Sequence, residues 1–432
     1  MRKATAVMIG TGLLVIAAAV FARTSEYSPS STCLNCHPAI FKQHEASEHE
    51  RSFTNPVFQA HYFKELLPKA ADDEGLAKEA DACTACHAPL AYLKHKKHVT
   101  SIDQVDPRMS GVTCDFCHVI SGYRGEQPGN GNFIAAPSDI KLGPFAIDTT
   151  WHRAYSELHT KSEFCAICHN AVNRHGLEIK STFTEWKDSG YAQQGIQCQD
   201  CHMTVLGFLT GGKAVYESGP AAVMIMNSPA ERERIYTHRF PGAHSHSQVS
   251  GAVTLDIGAG HATAAPGDEI AITVSVDNSR TGHKFPSGSA DLRLLWMEVT
   301  SSVDGRPVPV AVVSEAGDGY AVAGKGPSDR EILGDDVPEG SRMYRAVFAD
   351  KEGAQTLSSY NALRAVFDNR LGAGEVRKET YRIKLPADGG TMLSIAVSLR
   401  YLPYPSSFAK RLGTPKPEPV EVAAARKDIP LR

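Results

Sequence analysis

The chain is 432 residues long, 42% hydrophobic and 22% charged. That composition excludes wholesale disorder and leaves room for roughly two or three domains. A formal net charge of -3 excludes a general electrostatic pull toward nucleic acid.

At the N-terminus, Arg2 and Lys3 precede the apolar run ATAVMIGTGLLVIAAAVF, and Val20, Phe21 and Ala22 end it on cleavage-like residues. The pattern predicts an export signal over residues 1–22 and a protein that is periplasmic or extracellular. Left uncleaved, the same run is a membrane anchor near the lower length limit for spanning. Membrane contact is expected only in that case.

Ten cysteines follow. In an exported chain they would suggest disulfides, but their spacing points elsewhere. They occur as Cys33/Cys36, Cys83/Cys86, Cys114/Cys117, Cys165/Cys168 and Cys198/Cys201, each pair followed at once by a histidine: His37, His87, His118, His169 and His202. C-x-x-C-H is the attachment motif of a c-type haem: the sulfurs bond to two vinyl groups on one porphyrin edge, and the adjacent imidazole reaches the iron as proximal ligand. Zinc sites do not demand a histidine after each pair. A thioredoxin-like redox pair is one active copy in a βαβ setting, and disulfides impose no common spacing. Five matches arising by chance have a probability on the order of one in ten million. The motifs predict five covalently bound haem c groups.

Taken in chain order, PAIFKQHEASEHERSF reads as a helix carrying His44 and His49. His44 lies seven residues after His37 on the same face, so the two cannot clamp one iron between them. A ligand on this helix is expected to serve a different haem. His95 and His98, in KHKKH after the second motif, read equally well as a solvated basic helix. Residues 121–144, rich in Gly, Pro and Asn, read as a loop covering a haem edge. Gly111 and Gly195 suit tight approaches to the third and fifth motifs. WHRAYSELHTKSEFCAICH reads as a second helix, with His159 on it. THRFPGAHSHS supplies His238, His244 and His246, of which one or two are expected to ligate. His61, His152 and His261 read as surface or hydrogen-bonded histidines, and His175 does not close the haem of His169.

From about Val249 the texture changes to strand alternation, in AVTLDIGAG, EIAITVSVDN, LRLLWMEVTSSVDG, MYRAVFADKEG, ETYRIKLP and MLSIAVSLRYLP. The fold class predicted is α+β multidomain. A mostly α or irregular multihaem domain over 31–248 is followed by an all-β, immunoglobulin-like sandwich over 249–432. TGHKFPSG, with His283, is the loop between the second and third strands.

The phrases GVTCDFCHVI, LHTKSEFCAICHN, EWKDSGYAQQGIQCQDCHM and TGHKFPSG resemble the multihaem c-type cytochromes related to the tetrahaem electron acceptor of hydroxylamine oxidoreductase. The resemblance runs from about Ser31 to Met203. DNRLGAGE and LRYLPYP extend it into a variant with a C-terminal β domain. It implies an exported electron-transfer protein with closely packed haems and mainly bis-histidine ligation, and it favours His49, His159, His238 or His244, and His283 as distal ligands. A fifth motif and the β domain depart from the tetrahaem pattern. The lysine-ended motif of the pentahaem nitrite reductases is absent.

Electron transfer between a periplasmic or membrane donor and a terminal partner is therefore the first expectation, with redox proteins as partners rather than an enzymatic role. The β domain offers a surface for other multihaem cytochromes or further copies of the chain. Haem propionates would add roughly ten negative charges and favour basic patches on partners. The alternative is a reductase or oxidoreductase of a small nitrogen or sulfur compound at one open iron. His95, His98, His152, Lys161 and Tyr155 are the spare groups for that chemistry.

Overall fold

The computed structural model describes residues 26–146, 153–223, 231–259, 264–313 and 319–431. The export-signal segment, His152 and His261 lie outside the described residues.

Short helices and turns carry the five motifs. The longest helix, Glu74–His87, begins where Asp73 accepts a hydrogen bond from Leu76 N at 3.0 Å, an N-cap that satisfies one otherwise orphaned donor. It ends on the second motif, and Pro89 opens the next helix, Pro89–His95, at the first-turn position that proline tolerates.

Two predicted helices are shorter than the sequence suggests. The first stops at Glu45, because Glu48 N bonds to Phe240 O at 3.0 Å instead of continuing the helical ladder. His49 therefore leaves the helix axis and lies in the turns that follow. The second resolves into a strand, Arg153–Tyr155, a 3-10 turn, Glu157–Thr160, and a helix, Ser162–His169. Arg153–Tyr155 pairs in parallel with Lys141–Gly143, which draws that chain segment out of helical geometry. Within the predicted loop, Ile120–Tyr123 and Phe133–Ala135 form a small antiparallel hairpin.

Two antiparallel sheets dominate the chain from Thr254 onward. One runs Val310–Val312, Val376–Lys384, Glu269–Asp277, Thr254–Ala259; the other runs Arg306–Val308, Leu294–Val303, Met392–Leu402, Val420–Pro430. Alternate residues face inward, as a strand with one wet face requires. Ile272, Val274, Val276, Ile383, Leu295, Met297, Leu393, Ile395, Val397 and Leu399 fill the space between the sheets. The strand Val420–Pro430 is not legible as one in the sequence. This part is not all-β: the helices Asp329–Ile332 and Ser406–Leu412 and a three-stranded sheet around Ala346–Ala349 are inserted among its strands.

These insertions pack against the motif-bearing part. Ala60 shares an apolar cluster with Trp296, Leu402, Phe408 and Leu412, and Tyr360 joins Phe53, Tyr62, Leu66 and Cys83 in another. A buried ion pair also crosses between the two parts. Arg370 Nη1 lies 2.7 Å from Glu185 Oε1, with both side chains 5% exposed. The same guanidinium bonds Asp368 at 2.9 Å and the Pro286 carbonyl at 3.2 Å, so it fixes the loop that carries His283. Breaking a buried pair by removing one partner costs more than the pair contributes, because a desolvated charge is left behind. Glu185→Ala is expected to destabilise the holoprotein by about 3 kcal/mol, read as a fall in its urea midpoint. Asp388→Ala, which removes an exposed partner of Arg306, is expected to leave the midpoint unchanged.

Candidate haem-binding site

Each C-x-x-C-H motif forms one helical turn. His37 N bonds to Cys33 O at 2.8 Å and His118 N to Cys114 O at 3.1 Å. The other three motifs lie within the helices Glu74–His87, Ser162–His169 and Cys198–His202. In such a turn, residues i, i+3 and i+4 project to one side, so two thiols and an imidazole enter the same space. All ten cysteines and all five motif histidines line one continuous cavity of about 2120 Å³. A site for one small ligand is typically about 300–1,000 Å³; this cavity has room for several large groups.

No cysteine is in a disulfide. Burial pushes the Cys83, Cys117 and Cys201 thiols up to about 12, the opposite of an activated redox thiolate. Among the described residues, no three His, Cys, Asp or Glu side chains converge as a zinc site needs. A ring-bound iron that takes only two axial protein ligands fits these residues; a bare metal ion does not.

Thiols of different motifs touch. Cys33 stands beside Cys114, Cys86 beside Cys168, and Cys165 beside Cys198. Cys117 lies within electrostatic reach of Cys165 and Cys168. The five motifs are thereby linked into one branched network, with the first bordering the third and the fourth bordering the second, third and fifth.

The motif imidazoles are aimed by their backbone surroundings. His37 Nδ1 donates to Ala221 O at 2.8 Å, His87 Nδ1 to Ser52 O at 2.8 Å and His118 Nδ1 to Leu142 O at 2.6 Å. Holding Nδ1 in this way leaves Nε2 for a metal. Burial holds His87 and His202 down to about 4, so they stay neutral with a free lone pair.

Three of these rings face a second imidazole. His49 stands 6.1 Å from His169, His238 is 6.3 Å from His118, and His283 is 6.3 Å from His202, centre to centre. Two metal–imidazole bonds of roughly 2 Å each, plus the two ring radii, span about the same distance. His238 Nδ1 donates to Tyr236 O at 3.0 Å and His283 Nδ1 to Lys284 O at 2.7 Å, the same arrangement as the motif rings. Burial lowers His49 and His238 to about 3.

The other histidines singled out in the sequence fall elsewhere. His159 lies 5.9 Å from His118, but its Nε2 is engaged by Cys117 O at 3.2 Å. His244 is half-exposed, with Nε2 3.7 Å from Glu48. His44 spends Nε2 on Val112 O and Nδ1 on Glu50. His61 is held by Ser358 and Glu65. Of the spare proton donors, His95, His98, Tyr155 and Lys161 do not line the cavity.

Two glycines make this packing possible. A Cβ on Gly111 would stand 2.1 Å from Glu50 O and 2.6 Å from His49 O, and the neighbouring Val112 N bonds to His49 O at 2.9 Å; the close approach secures the backbone of His49. Gly131, with φ of +68°, brings its loop to 2.8 Å of Ala85 Cβ and 3.4 Å of Cys86 Sγ, measured from an added Cβ. Gly131 N also bonds to Ile167 O at 2.8 Å and Asn130 N to Asn170 O at 3.0 Å, so the hairpin loop covers the second and fourth motifs together. Gly131→Ala is expected to cost about 1–2 kcal/mol for the left-handed backbone and to raise tryptic cleavage at Arg124, read by limited proteolysis of the holoprotein.

The family model described as cytochrome c554 and c-prime matches residues 32–119. No curated protein matches the chain. Among solved structures, a penta-heme cytochrome c552 from Thermochromatium tepidum is 20% identical, with a TM-score of 0.65 over 93% of this chain and 99% of that one. A sporulation control protein from Bacillus subtilis (12% identity, 42% of this chain and 50% of that one, TM-score 0.17) and a type I cohesin from Pseudobacteroides cellulosolvens (12% identity, 42% and 92%, TM-score 0.19) match too loosely to carry an argument. Residues 32–119 are thus similar to the cytochrome c554 and c-prime family, and the fold of the whole chain is like that of a penta-heme cytochrome c.

Proposed function

We propose that this chain is an exported five-haem c-type cytochrome that carries electrons between a redox donor and a terminal partner protein. The observation that carries the reading is the approach of thiols from different motifs to one another within one cavity. Attachment points that touch force the groups they hold to lie close together. Bound haem supplies one-electron redox chemistry when its axial positions are filled.

The residues of this chain hold and tune those groups. Ten cysteines anchor them, and His37, His87, His118, His169 and His202 are the proximal ligands. His49, His238 and His283 are the distal ligands facing His169, His118 and His202, which supports mainly bis-histidine ligation. The basic and apolar start of the sequence supports export. Kinship with the tetrahaem acceptor of hydroxylamine oxidoreductase is part of the same proposal, as is docking of partners or further copies on the β part.

The test begins with the purified holoprotein. Pyridine haemochrome and intact mass are expected to give five haems, with no thiol open to maleimide after denaturation. His49→Ala, His238→Ala and His283→Ala are each expected to convert one low-spin ferric haem to high-spin in low-temperature EPR, whereas His159→Ala and His244→Ala leave the spectrum unchanged. Rapid mixing with a low-potential reductant is expected to reduce all five haems in fast phases. Fast reduction of one haem alone would sink the carrier reading.

A further inference from the structure

Asp115, set between Cys114 and Cys117 of the third motif, is 2% exposed and lines the cavity. A carboxylate buried this far is stable only when it is paired and hydrogen-bonded. Both of its oxygens find partners far away in the chain. Lys141 forms an ion pair with Oδ1, and Oδ2 accepts Ser28 N at 2.7 Å.

Each partner leads to a motif. Lys141 opens the strand Lys141–Gly143, and its neighbour Leu142 bonds to the third-motif histidine twice. His118 Nδ1 donates to Leu142 O at 2.6 Å, and Leu142 N donates to His118 O at 2.7 Å. Ser28 precedes the 3-10 turn Ser30–Cys33, which delivers the first thiol of the first motif. Ser30 Oγ accepts Cys114 N at 3.2 Å, and Cys33 lies within electrostatic reach of both Asp115 and Lys141.

Little else holds the strand that carries Leu142. Among the described residues it pairs only with Arg153–Tyr155, over three residues, and no residue from 134 to 146 is buried. A segment with so few buried contacts opens easily unless it is anchored. Lys141 also donates to Ser138 O, within its own segment, so its link to the interior is Asp115.

We infer that Asp115 is a positioning residue for the third-motif histidine: through Lys141 it keeps the Leu142 carbonyl on His118 Nδ1, and through Ser28 it keeps the first motif against the third. This role rests on the reading of the motifs as haem attachment points and of His118 as a proximal ligand. An imidazole whose Nδ1–H is firmly held gives more electron density to a metal at Nε2. That favours the oxidised metal and lowers its potential. Asp115 and Lys141 together carry no net charge, so what they add to the ring is the placement of Leu142 rather than a field.

The test uses the five-haem holoprotein, low-temperature EPR and a potentiometric titration. The haem of His118 is the one whose low-spin signal His238→Ala removes. Lys141→Met, the gentler change because that side chain is 25% exposed, and Asp115→Asn are each expected to shift the g-values of this haem alone and to raise its potential. The double variant is expected to go no further than either single one, because both cut the same clamp. Lys141→Arg is expected to restore the original g-values and potential. Potentials that move in opposite directions in the two single variants and cancel in the double one overturn positioning in favour of a field effect. Unchanged g-values and potential with only a lower urea midpoint overturn it in favour of a purely structural pair. A haem count of four, with the Cys114–His118 peptide unmodified, overturns instead the attachment reading beneath it.

Discussion

A buried imidazole presents one nitrogen in a set direction only if its other nitrogen is held. Backbone carbonyls do that holding in this chain. Ala221, Ser52 and Leu142 hold three motif histidines, and Tyr236 and Lys284 hold two of the rings that face them. Four of those five carbonyls lie outside helices and strands, because a carbonyl inside a regular element already has its partner. The irregular character of the first part follows. Turns and short helices leave carbonyls free to aim side chains, where long helices would consume them.

The same constraint gives the β part its place. The loop 281–286 has to present His283 to His202 from across the molecule, and a free loop would not hold a ring to a fixed spacing. Asn278, fully buried, ties that loop to Leu371 O, Gly372 O and His283 O. Phe285 pairs with Leu371 through backbone bonds of 2.8 and 3.0 Å. Arg370 then joins the loop to Glu185 beneath it. The sandwich core stiffens the strands at either end, and shared apolar clusters through Ala60 and Tyr360 keep the two parts in register.

Local patterns in the chain encode much of this architecture. The five attachment turns, the sandwich strands and the His283 loop follow from the i, i+3, i+4 geometry of one helical turn and from alternation along a strand. Helix lengths around His49 and His159 do not follow from such patterns, because distant backbone partners at Phe240 and Lys141–Gly143 interrupt what local propensity favours. The strand Val420–Pro430 is equally hidden; its AAARKD stretch, poor in β-branched residues, finds its stability in a long ladder with Met392–Leu402.

The sequence by itself determined the five C-x-x-C-H turns, each with two thiols and an imidazole on one side, because those relations span five residues and one turn of backbone. It also determined the alternating faces of most strands. Only the tertiary structure decided which distant ring faces which motif: His49 with His169, His118 with His238, His202 with His283. It alone separated His238 from His159, which sit at similar distances from His118 but have different nitrogens free.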